Sequence, residues 1–138
     1  ILQLETLDLQ LKLLFDQPLD VQTAVLEQAL VDLGYIEQST RALVSAYFNG
    51  DDARLLSLIE EQAGEHPLTR TFNAQLLDQR NRGMARTIQT YLASDQSYFV
   101  LVGAAHTVGP RGIVALLESA GFTGALIASN QTIPELQQ

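Results

Sequence analysis

Residues 97–122 read SYFVLVGAAHTVGPRGIVALLESAGF, and the predicted fold class depends on this stretch. Residues 98–102 form a short apolar run of β-branched, aromatic and leucine side chains, which is typical of a buried strand. Residues 109–121 open with Gly-Pro, show helical spacing and end on glycine, so they predict a helix. Residues 124–128 indicate a second short strand. Because strands joined through a helix run parallel, residues 94–138 predict a β-α-β unit.

The first 93 residues predict helices joined by short turns. LQLETLDLQLKLLF, residues 2–15, has alternating leucines, but its lack of β-branched residues favours a helix. That helix is apolar on two sides, so we expect it to be buried. The other predicted helices run from Val21 to Leu33, from Ser39 or Thr40 to Phe48, from Asp51 or Asp52 to Gln62, and from Pro67 to Ala93.

The fold class that follows is α+β, with one domain over residues 1–138. A mostly helical segment, residues 1–93, precedes the β-α-β unit of residues 94–138. Two parallel strands make a poor sheet alone, so we expect this unit to belong to a larger α/β sheet. The missing strands would come from an absent amino-terminal half or from a homodimer partner. The chain begins with Ile1 rather than Met and lacks a signal peptide, which also indicates a fragment.

Composition excludes several classes of protein. The net charge is −8, with 8 basic and 16 acidic residues, which argues against nucleic-acid binding. The absence of cysteine excludes disulfides, thiolate nucleophiles, zinc fingers and iron–sulfur clusters. The sequence also contains no apolar run of the ~20 residues that a membrane span needs.

His106 is the best-placed of the two histidines. It ends the motif GAAH, directly beyond the predicted strand, and ligands bind beyond the carboxyl ends of strands in open α/β sheets. The predicted helix start at Pro110 would place a positive helix end near the ring. That field favours the neutral imidazole that a metal ligand or a general base requires. A histidine that only forms a hydrogen bond at a strand end remains an equal alternative.

Arg80 and Asn81 lie in the predicted helix LLDQRNRGMARTIQTYL, residues 76–92. At ~100° per residue, Asn81 falls on the apolar face and Arg80 at its margin, with Arg82 and Arg86 opposite. Polar groups so placed need partners. We therefore expect Arg80 to be partly buried and bonded to a carboxylate or a carbonyl, with Arg82 and Arg86 exposed. The functional alternative to a structural bond is a guanidinium that orients a carboxylate or stabilises an oxyanion.

Glu5 and His66 are the remaining candidates. Glu5 lies between the two leucine faces of the first helix, where it could bind metal, pair with Arg80 or act as a base. A solvated glutamate is an equal alternative. His66 lies in a turn ahead of Pro67 and is predicted to be on the surface.

The order LET, LLDQRN and FVLVGAAHTVGPRGIVALLESAGF resembles the carboxyl-terminal half of the TraB/GumN family, in the wider group of the Tiki proteases. The resemblance implies a metal-dependent, peptidase-like hydrolase with a divalent metal and two G-x-x-H motifs. His106 matches the second G-x-x-H histidine. Arg80 matches the arginine of the preceding helix, and Glu5 matches the glutamate that follows the first half. It thus implies catalytic roles for all three residues, with His106 and Glu5 as metal ligands.

Three departures from the family pattern qualify the resemblance. No first G-x-x-H occurs in the chain, so we expect the chain alone to be inactive. Thr107 replaces a larger apolar residue, and Tyr47 to Gly50 replace a turn that contains tryptophan. The resemblance further implies a bacterial, exported protein of the periplasm or extracellular space that acts on a peptide or small molecule. Two alternatives remain, a haem or metal carrier that uses His106 and a non-catalytic helical interaction domain.

Overall fold

The computed structural model describes residues 1–127, which form a set of α-helices joined by short connections. The helices are α1 (Leu7–Phe15), α2 (Leu19–Asp32), α3 (Ile36–Asn49), α4 (Asp52–Gln62), α5 (Pro67–Ala74), α6 (Arg80–Leu92) and α7 (Ile113–Ser119). A π-helical segment (Gln75–Gln79) joins α5 to α6, and a 3-10 turn (Ala104–His106) precedes α7. None of the helices within residues 1–127 has the length and apolar character to cross a membrane.

The helices predicted for residues 1–93 are confirmed, with differences at their starts, except that the helix predicted from Pro67 to Ala93 is interrupted by the π-helical segment. Asp51 caps α4 as predicted, since its carboxylate accepts a hydrogen bond from the backbone N–H of Arg54 at 2.9 Å. Pro67 is the first residue of α5, where its missing N–H costs nothing. By contrast, α3 begins at Ile36 without a side-chain cap, so the predicted start at Ser39 or Thr40 is wrong.

The predicted β-α-β unit is wrong, and so is the α+β class, because residues 94–127 contain α7 and the 3-10 turn but no strand. A strand requires a neighbour to accept and donate its backbone hydrogen bonds. Residues 98–102 find none within residues 1–127, and residues 124–127 do not pair with them. Ala128, the last residue of the second predicted strand, lies outside the described residues. The described chain is therefore all-helical, and the larger α/β sheet loses its basis.

Residues 99–102 alternate in burial although they form no strand, whereas the continuous apolar run had predicted burial of every side chain. Val100 and Val102 are half-buried and pack beside α6 and α7. Phe99 and Leu101 point outward and are 91% and 82% exposed. The period-two pattern thus reports which side chains face the core, without implying a sheet.

Two further expectations are corrected. Helix α1 has no buried residue, although its two apolar sides predicted burial. Helix α7 begins at Ile113 instead of Pro110, because Gly109 adopts a φ of 78° and residues 109–112 form a turn first.

The core consists of two small clusters, and the loop of residues 103–112 connects them. In the first cluster, Val108 from this loop packs with α3 and α4. In the second, Ile113 at the start of α7 packs with Met84 and Ile88 of α6. The loop that carries His106 is thereby held in its middle by α3 and α4, while the residues that flank it, Val102 and Ile113, pack in the second cluster.

Candidate functional site

Arg80 and Glu5 form a largely buried ion pair. The Nε–H of Arg80 lies 3.1 Å from Oε1 and 3.0 Å from Oε2 of Glu5, and Nη2 also donates to Oε1. The side chains are 21% and 11% exposed. The predicted burial of Arg80 against a carboxylate is confirmed, and Arg82 and Arg86 are exposed as expected.

Glu5 is held in place by the start of α1. It precedes that helix, so the prediction that it lies within the helix is wrong; Thr6 caps α1 by accepting from the N–H of Leu9. Gln10, on the first turns of α1, donates to Oε1 of Glu5 at 2.7 Å. The hydrogen bonds from Arg80 lower the pKa of the Glu5 carboxyl below its ordinary value, against the opposing effect of burial. Glu5 is therefore a carboxylate at neutral pH.

His106 is the last residue of the 3-10 turn and is only 8% exposed. Its Nδ1 lies 2.6 Å from Oδ1 of Asn81. Burial lowers the pKa of His106, the positive charge of Arg80 lowers it further, and the negative charge of Glu5 opposes both. The neutral imidazole is favoured, as the sequence suggested, but burial and Arg80 are the causes. The start of α7 at Ile113 removes the helix end that was expected beside the ring.

Asn81 is a site residue whose role the sequence did not predict. Only 2% of it is exposed, and its Nδ2 donates to the backbone carbonyl of Arg111 at 2.8 Å while Oδ1 faces His106. The guanidinium of Arg111 in turn lies 2.8 Å from the carboxylate of Asp78. The sequence did place the Asn81 amide on the apolar face of α6. That position implies a hydrogen-bond partner but does not identify which residue provides it.

Glu5, Arg80 and His106 line one cavity of about 1010 Å³. The structure therefore brings together all three residues that the sequence singled out for a site. The rings of Tyr91 and Tyr98 stack at its wall, with centroids 4.7 Å apart and an interplanar angle of 13°. Its other walls are largely apolar and include Leu4, Met84, Val100 and Val102. A few polar groups converging in an apolar cleft are typical of a ligand or substrate site.

His66 lies apart from this cavity, on the surface as predicted. It is the N-cap of α5, and its Nδ1 accepts a hydrogen bond from the N–H of Leu68 at 3.2 Å.

The described residues do not complete a metal centre. A catalytic zinc usually takes three protein ligands, and no group of three His, Cys, Asp or Glu side chains comes together within residues 1–127. His106 and Glu5 share the cavity, but the Glu5 carboxylate already accepts hydrogen bonds from Arg80 and Gln10. The donor set therefore does not fit a metal ion unaided.

Comparison with known proteins places the chain. Residues 1–124 match the TraB/PrgY/gumN family over most of the sequence. The chain belongs to the TraB/PrgY/gumN family. A protein named metalloprotease TIKI homologue, from Amphimedon queenslandica, is 31% identical over 85 residues, which cover 59% of this chain and 17% of the relative. No solved structure matches.

Membership of this family agrees with the resemblance predicted from the sequence, including its link to Tiki-like proteases. The match covers only a small part of the TIKI homologue's length.

Proposed function

We propose that this chain supplies one wall of a hydrolase active site whose substrates contain peptide bonds. The convergence of Glu5, Arg80 and His106 on one cavity carries the proposal. These residues lie far apart in the sequence. Burying charged and polar side chains in an apolar cleft costs free energy, so their convergence there indicates a function. The peptide as substrate class rests on the metalloprotease name of the relative.

His106 is the proposed general base. Its Nδ1 is engaged by Asn81, and among the described residues no hydrogen bond reaches the other ring nitrogen, Nε2. His106 lines the cavity, and we expect Nε2 to face it. A neutral imidazole there can take a proton from a water molecule that attacks a carbonyl carbon, an effect typically worth roughly 10²–10⁴-fold in rate.

Arg80 is proposed to stabilise the negative charge that develops on the carbonyl oxygen. Its Nε and Nη2 contact Glu5, while Nη1 makes only a long contact of 3.4 Å with the carbonyl of Leu76. A guanidinium has five N–H donors, so donors remain for a substrate oxygen. The lowered pKa of Glu5 makes its carboxylate a weak base. Its proposed role is therefore to position Arg80.

The family resemblance also assigns a divalent metal to His106 and Glu5. These are the two ligands that the described residues could offer, and one of them is neutralised by Arg80. A bound metal would supply Lewis acidity for hydrolysis. Because the donor set is incomplete within residues 1–127, no step of the proposed reaction is assigned to it.

The experiment is a peptide-hydrolysis assay on the full-length protein, with any residues that precede Ile1 or follow Gln138 in the gene product. We expect His106→Ala to reduce kcat/KM by roughly 10²–10⁴-fold. His66→Asn, which replaces the other histidine with a good N-cap residue, is the control and should retain activity. A haem-dependent Soret band without hydrolysis would favour the carrier instead, and full activity in His106→Ala would contradict the proposal.

Two expectations about the cellular context remain predictions. Export of a bacterial protein to the periplasm or extracellular space rests on the resemblance alone, and cell fractionation with an antibody to the chain tests it. The homodimer was predicted from open strand edges. Since residues 1–127 contain no strand, that reason no longer supports it.

A further inference from the structure

The chain's two histidines make opposite hydrogen bonds through the same ring atom. Nδ1 of His66 accepts from a backbone N–H, whereas Nδ1 of His106 faces the amide oxygen of Asn81. We propose that Asn81 is a positioning residue that holds neutral His106 with its proton on Nδ1 and with Nε2 bare. The catalytic use of that nitrogen rests on the proposed function, but the proton's location does not.

The orientation of the Asn81 amide fixes the location of that proton. A backbone carbonyl can only accept, so the group of Asn81 that lies 2.8 Å from the Arg111 carbonyl must be its NH₂. The amide oxygen must then face His106, at 2.6 Å. An amide oxygen can only accept as well, so the short contact requires a proton on Nδ1. The neutral ring then has a lone pair on Nε2.

The Arg111 carbonyl is a fixed reference point for this chain of bonds. Asp78 holds the Arg111 side chain by an ion pair at 2.8 Å, and the carboxylate is only 15% exposed. The peptide that carries this carbonyl is also held on its nitrogen side, because the N–H of Gly112 donates to the carbonyl of Gly109 at 3.0 Å. Asp78 thus binds the guanidinium of Arg111, and Asn81, three residues later, binds the backbone carbonyl of the same residue.

The consequence is a histidine prepared for chemistry before a substrate arrives. A ring whose Nδ1–H is bonded to a neighbour presents Nε2 in a fixed direction, ready to accept a proton or to bind a cation. His106 lines the cavity with Glu5 and Arg80, so Nε2, which receives no hydrogen bond from residues 1–127, is available to the same space. His66, which accepts through Nδ1, carries its neutral-state proton on Nε2 and provides an internal reference of opposite type.

Nitrogen NMR of the 138-residue chain labelled at histidine measures the proton's location directly. At a pH where both rings are neutral, we expect two different tautomers, with the proton on Nδ1 in His106 and on Nε2 in His66. His66→Asn removes one signal set and assigns the other. A proton on Nε2 of His106, or an even mixture of tautomers, would overturn the proposal without any change at Asn81.

Asn81→Leu and Asn81→Asp form a matched pair of variants. Both lose the bond to the Arg111 carbonyl, but only Asp keeps an acceptor for Nδ1–H. We expect the Nδ1–H signature to persist in Asn81→Asp and to give way to a mixture in Asn81→Leu. Arg111→Ala, which removes the ion pair but keeps the carbonyl, should retain the signature.

Two outcomes would contradict the role of Asn81. Persistence of the signature in Asn81→Leu would show that another group sets the tautomer, and its loss in Asn81→Asp would show that the acceptor is not the cause. If Asn81→Leu does not fold, the Nδ1–H signature of the wild type and of Asn81→Asp still tests the proposal. Absence of peptide hydrolysis with the signature present would refute the proposed function and leave this inference standing.

Discussion

Arg80 donates hydrogen bonds from both Nε and Nη2 to the carboxylate of Glu5, which lies 75 residues earlier in the sequence. The pair ties the segment before α1 to the first residue of α6. Neighbouring contacts are weaker, such as the 3.4 Å hydrogen bond from Thr87 to the carbonyl of Leu4. The ion pair is therefore the main polar contact between the chain's first residues and α6.

Arg80→Ala should lower the free energy of unfolding by roughly 1–3 kcal/mol, because it leaves a partly buried carboxylate without its main partner. Glu5→Gln combined with Arg80→Ala should cost less than the sum of the two single changes. Chemical denaturation measures both. Arg41→Ala is the control, since its ion pair with Glu37 is 78% and 76% exposed. That change should cost no more than about 0.5 kcal/mol, and an equal cost for Arg80→Ala would show the buried pair to be unimportant.

Stability should fall as the solution is acidified below the ordinary His106 pKa of 6.5. The folded-state pKa lies below that value, so between the two the unfolded chain binds more protons than the folded chain. The stabilisation is complete above 6.5 and is lost as pH falls through the folded pKa. Glu5, whose pKa is also lowered, gives a second loss of the same sign below 4.5.

His106→Gln should remove the first of these two losses and leave the second, because glutamine does not titrate. Denaturation midpoints recorded across the acidic range provide the measurement. An unchanged dependence in His106→Gln between the folded pKa and 6.5 would mean that His106 is not the group responsible.

Gly112→Ala should destabilise the loop that carries His106. A Cβ at Gly112 would lie 2.6 Å from the carbonyl oxygens of Thr107 and Val108, so the backbone must move. We expect a cost of roughly 1–3 kcal/mol. Gly83→Ala is the matched control, since nothing lies within 4 Å of its added Cβ on α6. It should stabilise the protein by about 0.4–1 kcal/mol, and similar effects of the two changes would contradict the packing described for the loop.

The position of Arg80 could be predicted because helical phase is a local property. Helix α6 is regular from Arg80 to Leu92, so counting residues located Asn81 inside and Arg82 and Arg86 outside. The partner Glu5 was one of several alternatives in the sequence. Only the folded chain selects it, since the contact joins distant residues.

The strands could not be judged from the sequence because pairing is not local. Residues 98–102 have the composition of a strand, and residues 99–102 alternate in burial, but no described residue completes the ladder. Asn81 presents the same difficulty at a smaller scale, because its partner on one side is a backbone carbonyl that no sequence motif marks. The π-helical segment before Arg80 was likewise not predicted, because its residues fit the continuous α-helix expected there.

We propose that His106 and Arg80 act as parts of one hydrolytic site. The most direct test compares kcat/KM for peptide hydrolysis in His106→Ala, in Arg80→Lys, which keeps the charge without the planar fork, and in the double variant of the full-length protein. Residues that act as a unit have strongly non-additive effects. We predict that the double variant loses little more activity than the worse single variant. Losses that multiply, or full activity in His106→Ala, would show that the two residues do not act as one site.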